Sequence, residues 1–345
     1  MDAGSASLRR LLLTRCDVDA LVGFENHRGV FPIHRSIRFV LVTASVGRST
    51  GSVACRFGVD DPAELEAVGE EPAAALPWFQ LRLSVRLLER LSGGDLTIPW
   101  LRTPTDLGIA ERAAALFAPL GDQRGWAARF GRELNATEDR PLFHQAKAGL
   151  HAGVELPVVE GKQIEPFVVD LASSRWTMRA RDASDRLRDG RYRRPRLAYR
   201  DVAGPENRLT LMAAMLPKDC VSTHTLFCLR TPLPIPDQQL LCGLFNSFVL
   251  NFLVRLRVST HVTTAIVERL PVPIREQAPN TAREIGALAR VLSRRHNPVA
   301  YACLQARVAA LYQLTRDEFA YVLTTFPLVP EEVRRAAFDA FDRAG

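Results

Sequence analysis

The spacing of apolar and polar positions predicts a hairpin followed by helices in the first 130 residues. Residues 6–23 predict a short helix that leads into a turn. Two β-prone runs, 38–47 and 52–59, flank a Gly/Ser/Thr turn and predict a β-hairpin. Further helices are expected at 60–68, 81–91 and 109–118, the last of them after the helix-start signal Pro104-Thr105-Asp106.

The pattern changes at about residue 131, where short β-like runs rich in proline and basic residues begin. Strands are predicted at 157–164, 167–171, 194–202, 209–217 and 223–232. Residues 237–256 predict one long helix with a polar stripe of Asn246 and Asn251. Four more helices are expected at 281–295, 299–312, 316–325 and 331–343.

Together these elements predict an α+β fold with four segments. Residues 1–60 form a strand-hairpin and helix segment, and 61–130 form a helical connector. Residues 131–275 form an irregular β-rich domain, and 276–345 form a C-terminal helical segment.

Composition is that of an ordinary globular protein, with 47% hydrophobic residues. The longest apolar run, 240–254, is interrupted by Asn246, Ser247 and Asn251, so no membrane span and no membrane partner are expected. The N-terminus lacks the apolar core of a signal peptide, and a cytoplasmic location is expected. The six cysteines and seven histidines are scattered without metal-ligand spacing, so no metal site is expected from them.

Positive charge is concentrated in residues 175–200, which we call the arginine-rich segment. It holds ten arginines, three aspartates and no lysine, a surplus of +7 that equals the net charge of the whole chain. Arginine suits two-pronged contact with phosphate or guanine, and we therefore favour a nucleic-acid partner over a solvated charged loop. Trp176, Tyr192 and Tyr199 lie among the arginines, and we expect them to cover a small β core rather than to contact DNA.

A second pattern suggests catalysis. Glu160-Gly161-Lys162 ends a predicted strand, and Asp139 lies 21 residues before Glu160. An acid followed at a distance by Glu-x-Lys can hold a divalent ion and polarise a water molecule, as in metal-dependent nucleases. Against this hypothesis, the spacing arises often by chance, and Asp139 lies in a stretch typical of a turn.

Several common catalytic motifs are absent from the sequence. It contains no G-x-G-x-x-G after a strand, no Walker loop and no G-x-S-x-G elbow. Asn297-Pro298 and Tyr301 only partly match the N-P-P-Y motif of adenine methyltransferases. We interpret Asn297-Pro298 as an ordinary helix start.

Two adjacent runs nevertheless resemble one protein family. GRELNATEDRPLF (131–143) and LPVVEGKQIEPF (156–167) resemble the start of the target recognition region in large bacterial adenine-specific DNA methyltransferases. These include the fused Type IIG restriction–modification enzymes and related phage-defence methylases. Three later elements follow the family order, namely PRLAYRD (195–201) with NRLT (207–210), LFNS (244–247) and LPVP (270–273). Val168-Val169-Asp170 departs from the His-Arg pair that many relatives carry at this place.

The resemblance implies a function in DNA binding and target-sequence recognition. The region 1–60 resembles the tail of a methyltransferase catalytic domain, and 131–275 the target recognition domain. The glycine-rich loop that binds S-adenosylmethionine and the N-P-P-Y motif are expected outside this chain. No catalytic residue, metal or cofactor is therefore expected within it, whereas the complete family enzyme uses S-adenosylmethionine. The implied partners are double-stranded DNA and a separate methyltransferase catalytic subunit.

The residues expected to contact DNA combine the resemblance with the charge pattern. They are Lys162, Arg175, Arg191, Arg193, Arg194, Arg196, Arg200 and Arg208. Two alternatives stay open from the sequence: a magnesium-dependent nuclease using Asp139, Glu160 and Lys162, and a scaffold subunit of a methylase complex that docks through the C-terminal helices.

Overall fold

A computed structural model describes residues 5–35, 37–68, 78–146, 154–204, 207–258 and 261–343. The chain divides into two compact units, Met1–Ala115 and Leu116–Gly345. Helices and sheets occur in both units, which confirms the α+β class. Within the described residues, no helix is both long and apolar enough to cross a membrane.

The first unit contains a four-stranded sheet with the strand order β2-β1-β3-β4. Its strands are β1 (Cys16–Phe24), β2 (Phe39–Val46), β3 (Ser52–Val59) and β4 (Leu81–Ser84). Its helices are α1 (Ala6–Arg15), α2 (Val85–Ser92) and α3 (Pro104–Leu116).

The expected hairpin is wrong, although both of its strands exist. β1 lies between β2 and β3, antiparallel to β2 and parallel to β3. β1 is largely buried. A buried strand has a nearly continuous apolar run, and the spacing of its apolar residues does not distinguish it from a buried helix. For the same reason the helix expected at 6–23 is a helix only as far as Arg15.

The helix expected at 81–91 is also divided. Residues Leu81–Ser84 form β4, and the helix begins at Val85. The Ser84 hydroxyl accepts a hydrogen bond from the Leu87 N–H at 3.2 Å, which is a typical N-cap contact.

The second unit contains short strands arranged in three sheets, with the orders β13-β7-β10-β6, β12-β11-β14-β5 and β8-β9. The strands are β5 (Phe130–Gly131), β6 (Phe143–Gln145), β7 (Glu155–Val159), β8 (Ile164–Glu165), β9 (Val168–Val169), β10 (Trp176–Arg179), β11 (Arg196–Arg200), β12 (Ala213–Leu216), β13 (Val221–Ser222) and β14 (Leu226–Leu229). Each of the five predicted runs overlaps at least one of these strands. One apolar core includes Val158, Met178 and Leu187, and another includes Ala198, Leu216 and Leu226.

Helices form the rest of the second unit. They are α4 (Ala180–Arg186), α5 (Ile235–Phe245), α6 (Phe248–Arg255), α7 (Thr264–Val267), α8 (Pro279–Leu292), α9 (Pro298–Leu311), α10 (Arg316–Thr324) and α11 (Glu331–Asp342). The last four confirm the helices expected after residue 280. The single helix expected at 237–256 is instead two, because Ser247 caps the start of α6 by accepting the Leu250 N–H at 3.1 Å.

Candidate nucleic-acid interface

Arg196 is the only buried arginine of the arginine-rich segment, all of whose residues the structure describes. Its Nε and Nη2 donate to the two carboxylate oxygens of Glu133 at 2.5 and 2.6 Å, and Nη2 also donates to the Cys220 carbonyl at 3.0 Å. Glu133 further accepts hydrogen bonds from the backbone and hydroxyl of Ser222. Burial raises the pKa of Cys220 to about 11 and that of Cys228 to about 12, so both thiols are neutral. The structure therefore removes Arg196 from the expected DNA contacts and gives it a structural role.

Four further arginines of the segment have partners closer to the surface. Three pair with carboxylates: Arg181 with Asp182 (3.4 Å), Arg186 with Asp139 (2.6 Å) and Arg191 with Asp189 (3.3 Å). Arg193 donates to the Ser184 hydroxyl at 2.7 Å and lies over the ring of Tyr192. Arg191 and Arg193, both expected to contact DNA, thus lie at the surface but have protein partners.

The other group, which we call the exposed arginines, has no such partner. Its members are Arg175, Arg179, Arg188 and Arg194. All four side chains are exposed, and within the described ranges none forms an ion pair or a side-chain hydrogen bond. Arg175 and Arg194 belong to the contacts expected from the sequence. Arg179 and Arg188 were not expected, since the sequence does not show which arginines of the segment find a carboxylate.

The aromatic residues of the segment cover the β core, as expected. Tyr192 is 3% exposed and Tyr199 is fully buried. Trp176 packs against the same core as Tyr192, and the guanidinium of Arg140 lies 3.6 Å from the centre of its ring. Neither tyrosine ring is available for contact with DNA in this conformation.

A second positive group surrounds the β8–β9 hairpin, and we call it the hairpin cluster. It consists of Lys162, Arg200 and Arg208. Lys162 directly precedes the hairpin, and Arg208 Nη2 lies 3.7 Å from a carboxylate oxygen of Glu165 in β8. Arg200 is connected to the hairpin through the backbone, since its N–H donates to the Met212 carbonyl and the adjacent Ala213 carbonyl accepts the Phe167 N–H. Its Nη1 donates to the Met212 sulfur at 3.7 Å. The hairpin cluster is therefore defined by the connection of each residue to the β8–β9 hairpin, along the chain for Lys162, through the backbone for Arg200 and through Glu165 for Arg208.

The Glu160–Gln163 turn explains the exposure of Lys162. The Gln163 side chain accepts the Glu160 N–H at 2.7 Å, and the Gly161 N–H donates to the Thr225 hydroxyl at 2.8 Å. A Cβ atom at Gly161 would lie 3.2 Å from the Thr225 carbonyl oxygen, which favours glycine at this close approach. Lys162 Nζ lies 2.9 Å from Glu160, with 53% of its side chain exposed. The turn therefore presents a cation at the surface.

Asp201 follows β11 and connects this turn to Arg132, which lies in the run 131–143 that resembles the family, and to His261, which the sequence did not single out. Its N–H donates to the Thr225 carbonyl at 3.0 Å. Its buried carboxylate lies 2.8 Å from Arg132 Nη2 and 3.2 Å from His261 Nδ1. The Arg132 guanidinium also lies over the ring of Phe227. No sequence pattern indicated this arrangement, because its members come from three distant parts of the chain.

The residues of the nuclease hypothesis are engaged in structural contacts. One Asp139 oxygen accepts from Arg186, and the other accepts the Asn135 N–H at 2.8 Å. Glu160 lies against Lys162. Across the part of the chain that the structure describes, no three His, Cys, Asp or Glu side chains are grouped so that they could hold a metal ion. The geometry gives this hypothesis no support.

Asn297 begins a helix, as the sequence indicated. Its side-chain oxygen accepts the Ala300 N–H at 2.9 Å, and Pro298 is the first residue of α9. This is an N-cap with proline at the first helical position, a common helix start. The residue is therefore engaged in capping, and we derive no methyl-transfer step from it.

The chain is similar to solved structures of restriction–modification enzymes at low sequence identity. No protein-family model matches the sequence, and a search of curated proteins finds no match. Among solved structures, the chain is similar to the type IIG restriction endonuclease BpuSI, with 9% identity and a TM-score of 0.41 over 100% of this chain and 46% of that one. It is also similar to the Type IIL restriction-modification enzyme MmeI, solved in complex with DNA, with 11% identity and a TM-score of 0.43 over 98% of this chain and 47% of that one. The chain spans less than half the length of either protein, and scores of this size establish neither a shared fold nor a shared function.

Proposed function

We propose that this chain binds double-stranded DNA and recognises the target sequence for an adenine-specific DNA methyltransferase of a restriction–modification or phage-defence system. The observation that carries DNA binding is the set of four exposed arginines without protein partners on one 20-residue stretch, 175–194. The hairpin cluster adds three cations on the same unit. The resemblance of five ordered sequence elements supports the narrower assignment to adenine methylation.

In this proposal the two groups of cations have one physical task in common. Guanidinium and ammonium groups replace the counterions of the DNA backbone, which favours binding and sets the register of the protein on the duplex. Arginines whose hydrogen-bond donors are free can also bind the edge of a guanine in the major groove. The exposed arginines meet this condition, whereas Arg196 does not, since the side chain is buried and its Nε and Nη2 donate to Glu133.

Methyl transfer is assigned to a catalytic core outside these 345 residues. S-adenosylmethionine and the flipped adenine would bind there, on a separate subunit or a further part of the same enzyme. This chain would contribute binding and orientation of the duplex. A scaffold function through the C-terminal helices has no structural observation in its favour.

The test uses the purified full chain and a fluorescently labelled duplex. We expect binding whose affinity falls steeply between about 50 and 200 mM salt, with a slope of about −0.9 per phosphate contacted on logarithmic axes. Selection from a randomised duplex pool should enrich a defined sequence. With labelled S-adenosylmethionine, the chain alone should transfer no methyl group to plasmid DNA.

Two results would contradict the proposal. Absence of salt-dependent DNA binding would remove the DNA-binding function itself. Methylation by the chain alone would place the catalytic core within it and overturn the division of labour.

A further inference from the structure

Within the described residues, the segment 207–211, which carries Arg208, pairs with no strand. It precedes β12, and residues 205–206 just before it lie outside the described chain. The N–H groups of Thr210 and Leu211 both donate to the side-chain oxygen of Asn251, at 2.8 and 2.7 Å. Asn251 is fully buried in α6, and its amide group donates back to the Leu211 carbonyl at 3.3 Å. A side chain thus replaces a neighbouring strand for this segment.

One helical turn after Asn251, Arg255 holds the other end of the segment. Its Nε donates to the Thr210 hydroxyl at 3.0 Å, and Nη2 donates to the carbonyls of Asn207 and Arg208. The Arg255 guanidinium also lies over the ring of Phe326, 4.0 Å from its centre. A single planar group therefore fixes the backbone on which the Arg208 side chain begins.

Arg208 itself is weakly held beyond its backbone. Its side chain is 56% exposed and its carboxylate neighbour, Glu165, is 61% exposed at a distance of 3.7 Å. Such an exposed pair contributes little to folding stability. The backbone of Arg208 is thus held firmly, while its guanidinium is exposed and only loosely paired. This arrangement is expected of a binding group whose position is fixed before its partner binds.

We infer that Asn251 and Arg255 are positioning residues for DNA binding, which act by fixing the backbone of Arg208 so that its guanidinium meets a DNA phosphate. The inference rests on the proposed DNA-binding function. It gives the interior face of α6 a role in DNA recognition. The sequence showed the polar stripe of Asn246 and Asn251 but did not indicate this role.

A double-mutant cycle on the full chain tests this inference. Arg208→Gln removes the phosphate contact, and we expect about fivefold weaker duplex binding near physiological salt and a salt slope reduced by about 0.9. Arg255→Lys keeps the charge but cannot bind three acceptors in one plane. We expect it to weaken binding to a similar degree, and the double variant to bind no more weakly than Arg208→Gln alone.

A second pair of variants separates positioning from simple loss of folding. Thr210→Val removes the hydroxyl that accepts from Arg255 and donates to the Gly204 carbonyl, whereas Thr210→Ser retains both hydrogen bonds. We expect the valine variant to reproduce the reduced salt slope and the serine variant to restore the wild-type slope. A general loss of stability would lower the fraction of active protein without changing the slope, which depends on the number of phosphate contacts.

Three results would contradict the inference, and they distinguish its failure from failure of the proposed DNA-binding function. If the effects of Arg208→Gln and Arg255→Lys multiply in the double variant, Arg255 does not act through Arg208 and the inference fails while DNA binding stands. If Thr210→Val keeps the wild-type slope, the anchor has no part in recognition. If the wild-type chain shows no salt-dependent DNA binding, the proposed function and this inference fail together.

Discussion

Arg194 and Arg196 lie two residues apart in the same segment, yet the regions that surround them differ completely. The region of Arg196 is buried and supplies a carboxylate, a carbonyl and two neutral thiols. The region of Arg194 is exposed and offers no side-chain partner within the described residues. The comparison shows that a run of like charges is not one functional surface. Part of it stabilises the fold, and only the remainder is free to bind an anion.

The charge count from the sequence therefore overstates the charge available to a partner. Two of the acids that neutralise the segment, Glu133 and Asp139, lie 63 and 47 residues before the arginines with which they pair. Their contribution to the charge balance of the segment depends on the formation of the sheets.

Four predictions test this division between buried and exposed charged groups, from the largest expected effect to the smallest.

Removing the carboxylate beneath Arg196 should have the largest effect. Glu133→Gln leaves a buried guanidinium without its counter-charge, and we expect the free energy of unfolding to fall by about 3–5 kcal/mol. Urea denaturation of the full chain measures the change. Asp189→Asn is the matched control, because Asp189 is 40% exposed and lies 3.3 Å from both Arg191 and Arg230, so its loss should change the free energy by less than about 1 kcal/mol. Equal effects of the two substitutions would remove the distinction between the regions.

The exposed arginines should show the opposite behaviour. Replacing Arg175, Arg179, Arg188 and Arg194 by glutamine should weaken duplex binding on the order of 100-fold and reduce the salt slope by about 0.9 for each phosphate that the variant no longer neutralises. The free energy of unfolding should change by less than about 1 kcal/mol, since exposed side chains contribute little to it.

The control for this change is a second set of four arginines with the same total charge. Arg283, Arg290, Arg294 and Arg295 are exposed in or just after α8. Their replacement by glutamine should leave the salt slope nearly unchanged. If both sets reduce binding equally, net charge and not position determines affinity, and the exposed arginines have no special role.

The two regions also show how far the sequence can predict such a structure. The sequence predicted the four C-terminal helices well: α8 and α11 each have a repeating apolar face, and α9 is a long apolar stretch with a clear helix start at Asn297-Pro298. Hydrophobic periodicity failed at β1, where a buried strand and a helix have similar patterns, and at 237–256, where a single capping serine divides one apolar run into two helices. Local pattern is informative only where local interactions decide the structure.

The candidate site was less predictable for the same physical reason. Lys162, Arg200 and Arg208 were expected individually, but the contact of Arg208 with Glu165 and the backbone connection of Arg200 to the β8–β9 hairpin depend on pairing between distant segments. The exclusion of Arg196 and the engagement of Arg132 by Asp201 depend on partners that charge counting along the chain does not identify.

Glu25 of the first unit is a buried carboxylate that pairs with arginines, and the pH dependence of the free energy of unfolding tests how much this pairing stabilises the fold. Glu25 is 5% exposed and lies 3.1 Å from Arg38 and 2.7 Å from Arg102. Burial alone would raise its pKa, but the two arginines outweigh burial and hold the pKa below the usual value of 4.5. Its contribution to stability is therefore complete above about pH 4.5 and is lost as the pH falls through the lowered pKa. Glu25→Gln should lower the free energy of unfolding by about 2 kcal/mol at pH 7, because both arginines are partly exposed.

This difference between wild type and Glu25→Gln should shrink as the pH is lowered from about 5 towards 3. Unfolding measured across a pH series detects the change. A difference that stays constant through this range would show that the ionised carboxylate is not the source of the stability.

The smallest expected effect belongs to Lys162, which separates the two interpretations of the Glu160-Gly161-Lys162 turn. As a single phosphate contact, Lys162→Gln should weaken duplex binding about fivefold and lower the salt slope by about 0.9. Lys218→Gln is the control with the same change of charge, since Lys218 is 72% exposed, lies 3.8 Å from Asp219 and does not belong to the turn. The same proteins, incubated with magnesium and plasmid DNA, test the catalytic alternative. Cleavage by the wild type that disappears in Lys162→Gln but persists in Lys218→Gln would restore the nuclease hypothesis. Weaker binding without any cleavage would leave Lys162 as a contact that positions DNA.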